Sequence, residues 1–252
     1  MNNSCSSCKA IFNSEAKFCT NCGKALNKTN IEARNESLNS IIVFYVVFLL
    51  FAVISYFLYS EYPLNLNVEI GIESVFALLV VGFSLLDYKG ILQLYKLPKI
   101  DWKILVFTIV FPVFSAITVY YTVEYTNSFL FEFSDDNYYG DYVYLDNPLF
   151  WAILFIAIMP PIFEELAFRG FLFNQLQKVT SEKVTIVATA FIFALVHFSF
   201  ISLIWILPFG LILGYIRSKY NTLWYGVVIH FIHNFIVLMI DYYTYNSSLL
   251  DF

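Results

Sequence analysis

Charge is scarce in this chain. Only 13% of its 252 residues are Asp, Glu, Lys or Arg, about half of the roughly 25% usual in soluble domains. Basic residues are absent altogether from three stretches, 60–67, 124–147 and 241–252. Cysteine is absent beyond Cys22. No His-Glu-x-x-His occurs, which excludes the common zinc-protease helix. No basic start followed by a short apolar run opens the sequence, so no secretory signal peptide is expected, and insertion would rely on the spans themselves. No internal repeat is visible, which counts against a transporter built from paired halves.

What fills the sequence instead is apolar. Hydrophobic residues make up 60%, with 28 Phe and 19 Tyr, and the mean hydropathy is +0.70. A soluble core of this size has no room for that much apolar surface. Runs near the 20 residues that cross a bilayer occupy 40–59, 68–86, 104–123, 148–168, 184–200, 201–216 and 222–240. The expected fold class is therefore all-α, a polytopic membrane helix bundle of about seven spans. The fifth and sixth runs have almost no loop between them, and Pro160-Pro161 interrupts the fourth. Such a break is tolerated where neighbouring protein satisfies the freed backbone groups. Pro208 is expected to bend the sixth run, and Gly210 with Gly214 permits close helix approach.

Charge placement orients the bundle. With the N-terminus in the cytoplasm, all 14 basic residues fall on the cytoplasmic side, from Lys9 through Lys89 and Lys103 to Arg217 and Lys219. The opposite loops hold Glu61, Glu124, Glu132, Asp135, Asp136, Asp141, Asp146, Asp241 and Asp251. By the positive-inside rule this predicts an integral membrane protein, in the plasma membrane, with its C-terminus outside.

The expected domains are a cytosolic zinc ribbon at 1–27, a linker at 28–39, N-terminal membrane helices at 40–123 and a second membrane core at 148–240, which holds the ionisable clusters described below. The ribbon rests on Cys5-Ser6-Ser7-Cys8 and Cys19-Thr20-Asn21-Cys22, two knuckles that bring four thiolates to one tetrahedral structural zinc. Two disulfides are the rival arrangement, expected in an oxidising compartment. The segment resembles the short zinc ribbons at the start of many prokaryotic membrane proteins, and a cytosolic protein partner is one role for it. Five Lys/Arg against three Glu over residues 1–37 is too balanced for a nucleic-acid partner.

Ionisable residues at membrane depth cost roughly 2.5–3.5 kcal/mol on insertion scales, so they need a reason. Three clusters stand out: Glu164-Glu165 with Arg169, then His197, then His230 with His233 and Asn234. Glu165 and Arg169 are i and i+4 in the favourable order for an ion pair, leaving Glu164 free to face a cavity. The bland alternative is one structural bridge at the cytoplasmic interface. His197 alone reads as a packed histidine with one hydrogen bond. His230 and Asn234, again i and i+4, share a face suited to polarising a carbonyl, or to gluing spans together by an interhelical hydrogen bond worth about 1 kcal/mol.

Taken together, Glu164-Glu165-x-x-x-Arg169, Phe193-x-x-x-His197 and His230-x-x-x-Asn234 resemble the three motifs of the CPBP (Abi) family of CAAX proteases and bacteriocin-processing enzymes. Gly210, Gly214 and Leu223-Trp224 are similar to that family as well, and the resemblance spans roughly 148–240. It implies an intramembrane endopeptidase acting on membrane-associated or lipidated peptide substrates. By motif position Glu164 would be the general base that activates water, with His197 sharing the task. His230 and Asn234 would polarise the scissile carbonyl, and Glu165 and Arg169 would support them. Family members are described both as metalloproteases and as acting without metal; metal-free chemistry is the expectation here, although two histidines and a glutamate can bind zinc.

Two other readings remain. A non-catalytic scaffold or bacteriocin-immunity protein of the same fold would tolerate loss of a Glu or His, yet all three motifs are intact. An ion transporter would need polar groups in the first three spans, and none is expected there. One geometric difficulty accompanies the leading reading. Arg169 places Glu164 near the cytoplasm, whereas His197 lies about 13 residues into its span, roughly 20 Å deep.

Overall fold

In the computed structural model, residues 3–5, 7–12, 19, 21–23, 28–98, 101–131, 137–197 and 200–248 are described. A two-stranded antiparallel ribbon, β1 (Asn3–Ser4) and β2 (Ile11–Phe12), opens the chain. The helices that follow are α1 (Lys28–Glu61), α2 (Leu66–Leu86), α3 (Tyr88–Leu94) and α4 (Trp102–Phe131). The expected linker at 28–39 is helical: neither Gly nor Pro interrupts the sequence from Lys28 to Glu61, so α1 runs straight on into the apolar part.

A long rod, Pro148–Val179, comes next. It consists of α5 (Pro148–Ala152), a widened turn at Ile153–Ile158, α6 (Met159–Glu164), a second widened turn at Glu165–Leu172, and α7 (Phe173–Val179). Both widened turns have π-helical spacing, which is frequent at functional sites. The chain closes with α8 (Glu182–Leu195), α9 (Phe200–Tyr220) and α10 (Trp224–Ser248).

Among the described residues, five helices are long and apolar enough to cross a membrane: Glu32–Glu61, Leu66–Leu86, Trp102–Val123, Pro148–Val179 and Trp224–Ser247. The chain is an integral membrane protein. Ile42, Leu50, Phe57, Leu78, Leu85 and Phe114 point outward, as lipid-facing side chains do. The expected count of seven is not reached on this measure. Helix α8 has only 14 residues, about 21 Å of rise against a hydrocarbon core of about 30 Å. Together α8 and α9 pack as a hairpin. Its two outer ends carry Lys183 on one arm and Arg217 and Lys219 on the other.

Three packed clusters position the site. Phe44, Phe48, Phe83, Phe168 and Phe171 form an aromatic knot between α1, α2 and the rod, with ring centroids from 4.2 to 6.5 Å apart. Lipid tails are as apolar as phenylalanine, so packing rather than exclusion of water holds this knot, each ring pair adding about 0.5–1.5 kcal/mol. Ile104, Phe209, Leu213 and Ile229 join α4, α9 and α10. Tyr139, Tyr142, Phe155 and Leu238 close the other end of the rod.

Candidate active site

The site begins with missing N–H groups. Pro160 and Pro161 occupy the positions four and five residues after Ile156, where a helix would supply that carbonyl's donor. Asn234 of α10 fills the gap: its Nδ2 donates to the Ile156 carbonyl at 2.9 Å. One amide hydrogen of Asn234 thus secures the rod, and the other remains free for a ligand.

Beyond the prolines, the second widened turn carries the acids. Glu165 is 1% exposed, and so is Arg169, whose Nη1 donates to Glu165 Oε1 at 3.0 Å. The guanidinium also donates from Nη2 to the Gly210 carbonyl at 3.3 Å and lies 4.2 Å over the Phe193 ring. Burying this pair is tolerable only because each member is matched and further hydrogen-bonded. Two glycines make the room. A Cβ on Gly226 would lie 2.6 Å from Glu165 Oε2, and one on Gly210 would press on Ala190 and Arg169.

His230 lies between the two carboxylates. Its Nδ1 is 3.3 Å from Glu165 Oε1, and its Nε2 is 3.8 Å from Glu164 Oε2. An ionised Glu165 only accepts, so Nδ1 carries the proton and Nε2 is turned to Glu164. Glu164 is the more open of the two acids, with its side chain 20% exposed. Phe193 and Phe209 pack edge-on against the imidazole, at 6.0 and 5.6 Å.

His197 stands at the C-terminal end of α8, exposed, with Nδ1 donating to the Phe193 carbonyl at 2.7 Å. That bond leaves Nε2 as a free acceptor. No direct contact joins it to Glu164 or His230; its link to them is the Phe193 ring, 4.9 Å away. The depth difficulty disappears, because the rod does not end at Arg169. Glu164 precedes the rod's end at Val179 by fifteen residues, and His197 follows the start of α8 at Glu182 by the same number. Both therefore lie about 20 Å from the α7–α8 turn. His233, the third histidine, packs its ring 4.8 Å from that of Phe209, with Nδ1 buried and unpartnered.

Two acids escaped the sequence reading. Glu69 and Glu73 lie in α2, so the expectation of no polar groups in the first three spans is corrected. Tyr142 donates its hydroxyl to Glu69, and Glu73 is within Coulombic reach of both Glu69 and Glu164. Their i, i+4 spacing inside the apolar run 68–86 was the available signal.

At the other end of the chain, Cys5, Cys8, Cys19 and Cys22 bring their sulfurs within 4.8 Å of one another, a set able to hold one metal ion. All four are free thiols, with 3.7 Å between Cys5 and Cys22 and 3.4 Å between Cys8 and Cys19. Backbone N–H groups favour the thiolates. Those of Cys8 and Ser7 hold the Cys5 thiol below its ordinary value, and that of Ala10, aided by Asn21, brings Cys8 down to about 6. Such thiolates are the form a metal binds. Among the described residues no second group of three His, Cys, Asp or Glu gathers as closely.

Residues 146–236 match the family model of type II CAAX prenyl endopeptidase Rce1-like proteins. This part of the chain is similar to the Rce1-like domain. It covers a little over a third of the sequence and contains Glu164, Glu165, Arg169, His197, His230 and Asn234. No curated protein and no solved structure matches the chain. At the level of the family, the Rce1-like domain points to a protease of the CAAX type.

Proposed function

We propose that the chain is an intramembrane endopeptidase that cleaves peptide bonds of membrane-associated or lipidated substrates with a water activated by Glu164 and His197. The observation that supports this best is His230 held between Glu164 and Glu165. Glu164 takes the proton of the attacking water, and the acceptor Nε2 of His197 shares that work. The water oxygen adds to the scissile carbonyl, whose oxygen becomes an anion. His230 Nε2 and the free N–H of Asn234 stabilise that anion. Because Nδ1–H is given to Glu165, Nε2 donates in this step only from the doubly protonated ring. The proton on Glu164 then passes to the leaving nitrogen as the C–N bond breaks, giving an amine and a carboxylate. Glu165 and Arg169 orient His230 and are not consumed.

The N-terminal cysteines hold a structural zinc outside this chemistry. Their segment is cytosolic, free to meet a protein partner, and the C-terminus is outside, in keeping with the charge asymmetry. The bilayer is the protein's environment and supplies its lipidated substrates.

The test is cleavage by purified protein in liposomes. A farnesylated CAAX reporter peptide and a membrane-peptide library are read by mass spectrometry for new termini. Wild type should cut, and Glu164→Ala and His197→Ala should not. Alanine variants that keep full function in cells would sink the catalytic reading in favour of a scaffold.

A further inference from the structure

The second widened turn skips a backbone hydrogen bond. The N–H of Phe173, which in a regular helix would go to the Arg169 carbonyl, is directed to the carbonyls of Phe168 and Gly170. A buried carbonyl deprived of its donor must be satisfied by neighbouring protein. Arg217, in the last turn of α9, supplies that donor: its Nε donates to the Arg169 carbonyl at 2.8 Å.

The rest of the Arg217 guanidinium is equally committed. Nη1 donates to Asn221 Oδ1 at 2.9 Å, Nη2 donates to Asn174 Oδ1 at 2.8 Å, and its plane lies 5.0 Å from the Phe173 ring. Asn174 is fixed in turn, its Nδ2 donating to Asp87 Oδ2 at 2.8 Å. Gly90 permits this approach, since a Cβ there would lie 2.7 Å from Asp87 and 3.0 Å from Asn174. Arg217 is 3% exposed, and the acceptors it reaches are a carbonyl and two amides. A buried cation bonded to neutral acceptors is a poor stabiliser when an apolar side chain would fill the space. What a guanidinium offers is a rigid fork that engages the widened turn, α7 and the α9–α10 turn at once.

We propose that Arg217 is a positioning residue of the proteolytic site: by holding the Arg169 carbonyl it fixes the widened turn, and with it the contact of Glu165 with His230. This rests on the reading of Glu164 and His230 as the reacting pair. Arg169 gives its side chain to Glu165 and its carbonyl to Arg217, so displacement of that backbone moves the carboxylate that orients the imidazole. Arg217 touches no reacting group and acts wholly through this backbone.

The experiment uses the whole 252-residue chain in detergent with ¹⁵N-labelled histidine rings. The chain has only three histidines, and the His230 signals are assigned by their loss in His230→Gln. Glu165→Gln provides the reference for a broken Nδ1–H···carboxylate bond. Arg217→Gln is expected to move the His230 Nδ1 signal towards that reference. On the farnesylated reporter its kcat should fall roughly tenfold with KM within about twofold, the mark of misplaced groups rather than lost binding. Arg217→Lys, a point charge without the fork, should restore neither. If Arg217→Gln does not fold, Asn174→Ala removes one anchor while leaving the cation, and it is read in the same way. A His230 signal unchanged from wild type in either folded variant overturns the proposal. This readout needs no turnover, so an inactive wild type would count against the protease reading while the His230 signal still decides the role of Arg217.

Discussion

Asn234 of α10 donates to the carbonyl of Ile156 at 2.9 Å, across the break that Pro160 and Pro161 make in the rod. A residue that the sequence marks for oxyanion work is therefore also a structural clamp. The two duties are compatible because a carboxamide has two N–H groups, and the clamp fixes the direction of the second.

This duality separates under mutation. Asn234→Ala leaves the Ile156 carbonyl without its donor and should lower stability by about 1–2 kcal/mol, the range of interhelical hydrogen bonds in membranes. Adding Pro160→Ala returns an N–H four residues after Ile156. The double variant should recover most of the lost thermal stability in detergent while staying inactive. Recovery of activity would mean that Asn234 has no part beyond the clamp.

Gly226 offers a second handle. A methyl group there would lie 2.6 Å from Glu165 Oε2, and neither a carboxylate paired with Arg169 nor the α10 backbone can give way freely. Gly226→Ala should destabilise by about 1–3 kcal/mol, as overpacking does, and should reduce cleavage by moving Glu165 off His230. Gly71→Ala, on α2 with nothing within 4 Å, is the matched control and should be silent in both the melting curve and the cleavage assay.

Which parts of this were legible beforehand follows from the physics each signal carries. Glu164, His230 and Asn234 could be read because polar groups in apolar runs are costly and i, i+4 spacing fixes a face. The end of the fourth span could not. Arg169 suggests the membrane surface, yet it is buried against Glu165 and Phe193, and the rod continues ten residues further to Val179. Hydropathy also gives no warning that α8 stops at Leu195, because a helix end is a backbone event inside an apolar run. Glu69 and Glu73 were visible as letters. Their proximity to Tyr142 and Glu164 is tertiary.

The cysteine cluster makes an independent prediction. Four free sulfurs within 4.8 Å should hold one zinc per chain, measurable by elemental analysis, and Cys8→Ser with Cys19→Ser should abolish it. Those thiols belong to the N-terminal ribbon, outside the Glu164–His230 site, so the zinc-free variant should cleave the reporter at the wild-type rate. If metal removal silences wild type and this variant alike, the essential metal is not the one held by the cysteines, and the water-activation scheme needs a metal beside Glu164.

The adjacent acids should fail in opposite ways. Glu165 is buried with Arg169 and His230, and Glu165→Gln removes the carboxylate that both of those groups contact directly. Breaking a buried pair on one side costs about 3–5 kcal/mol, so this variant should melt far earlier than wild type. Glu164 is partly open and its approach to His230, at 3.8 Å, is longer than a hydrogen bond. Glu164→Gln should therefore fold with nearly wild-type stability and lose cleavage by at least about 100-fold, the lower end for removing a general base. Thermal melting and kcat on the same preparations separate the two. A stable, active Glu164→Gln protein paired with a stable, inactive Glu165→Gln protein would transfer the base to Glu165, and His230 would then face its catalyst through Nδ1 rather than Nε2.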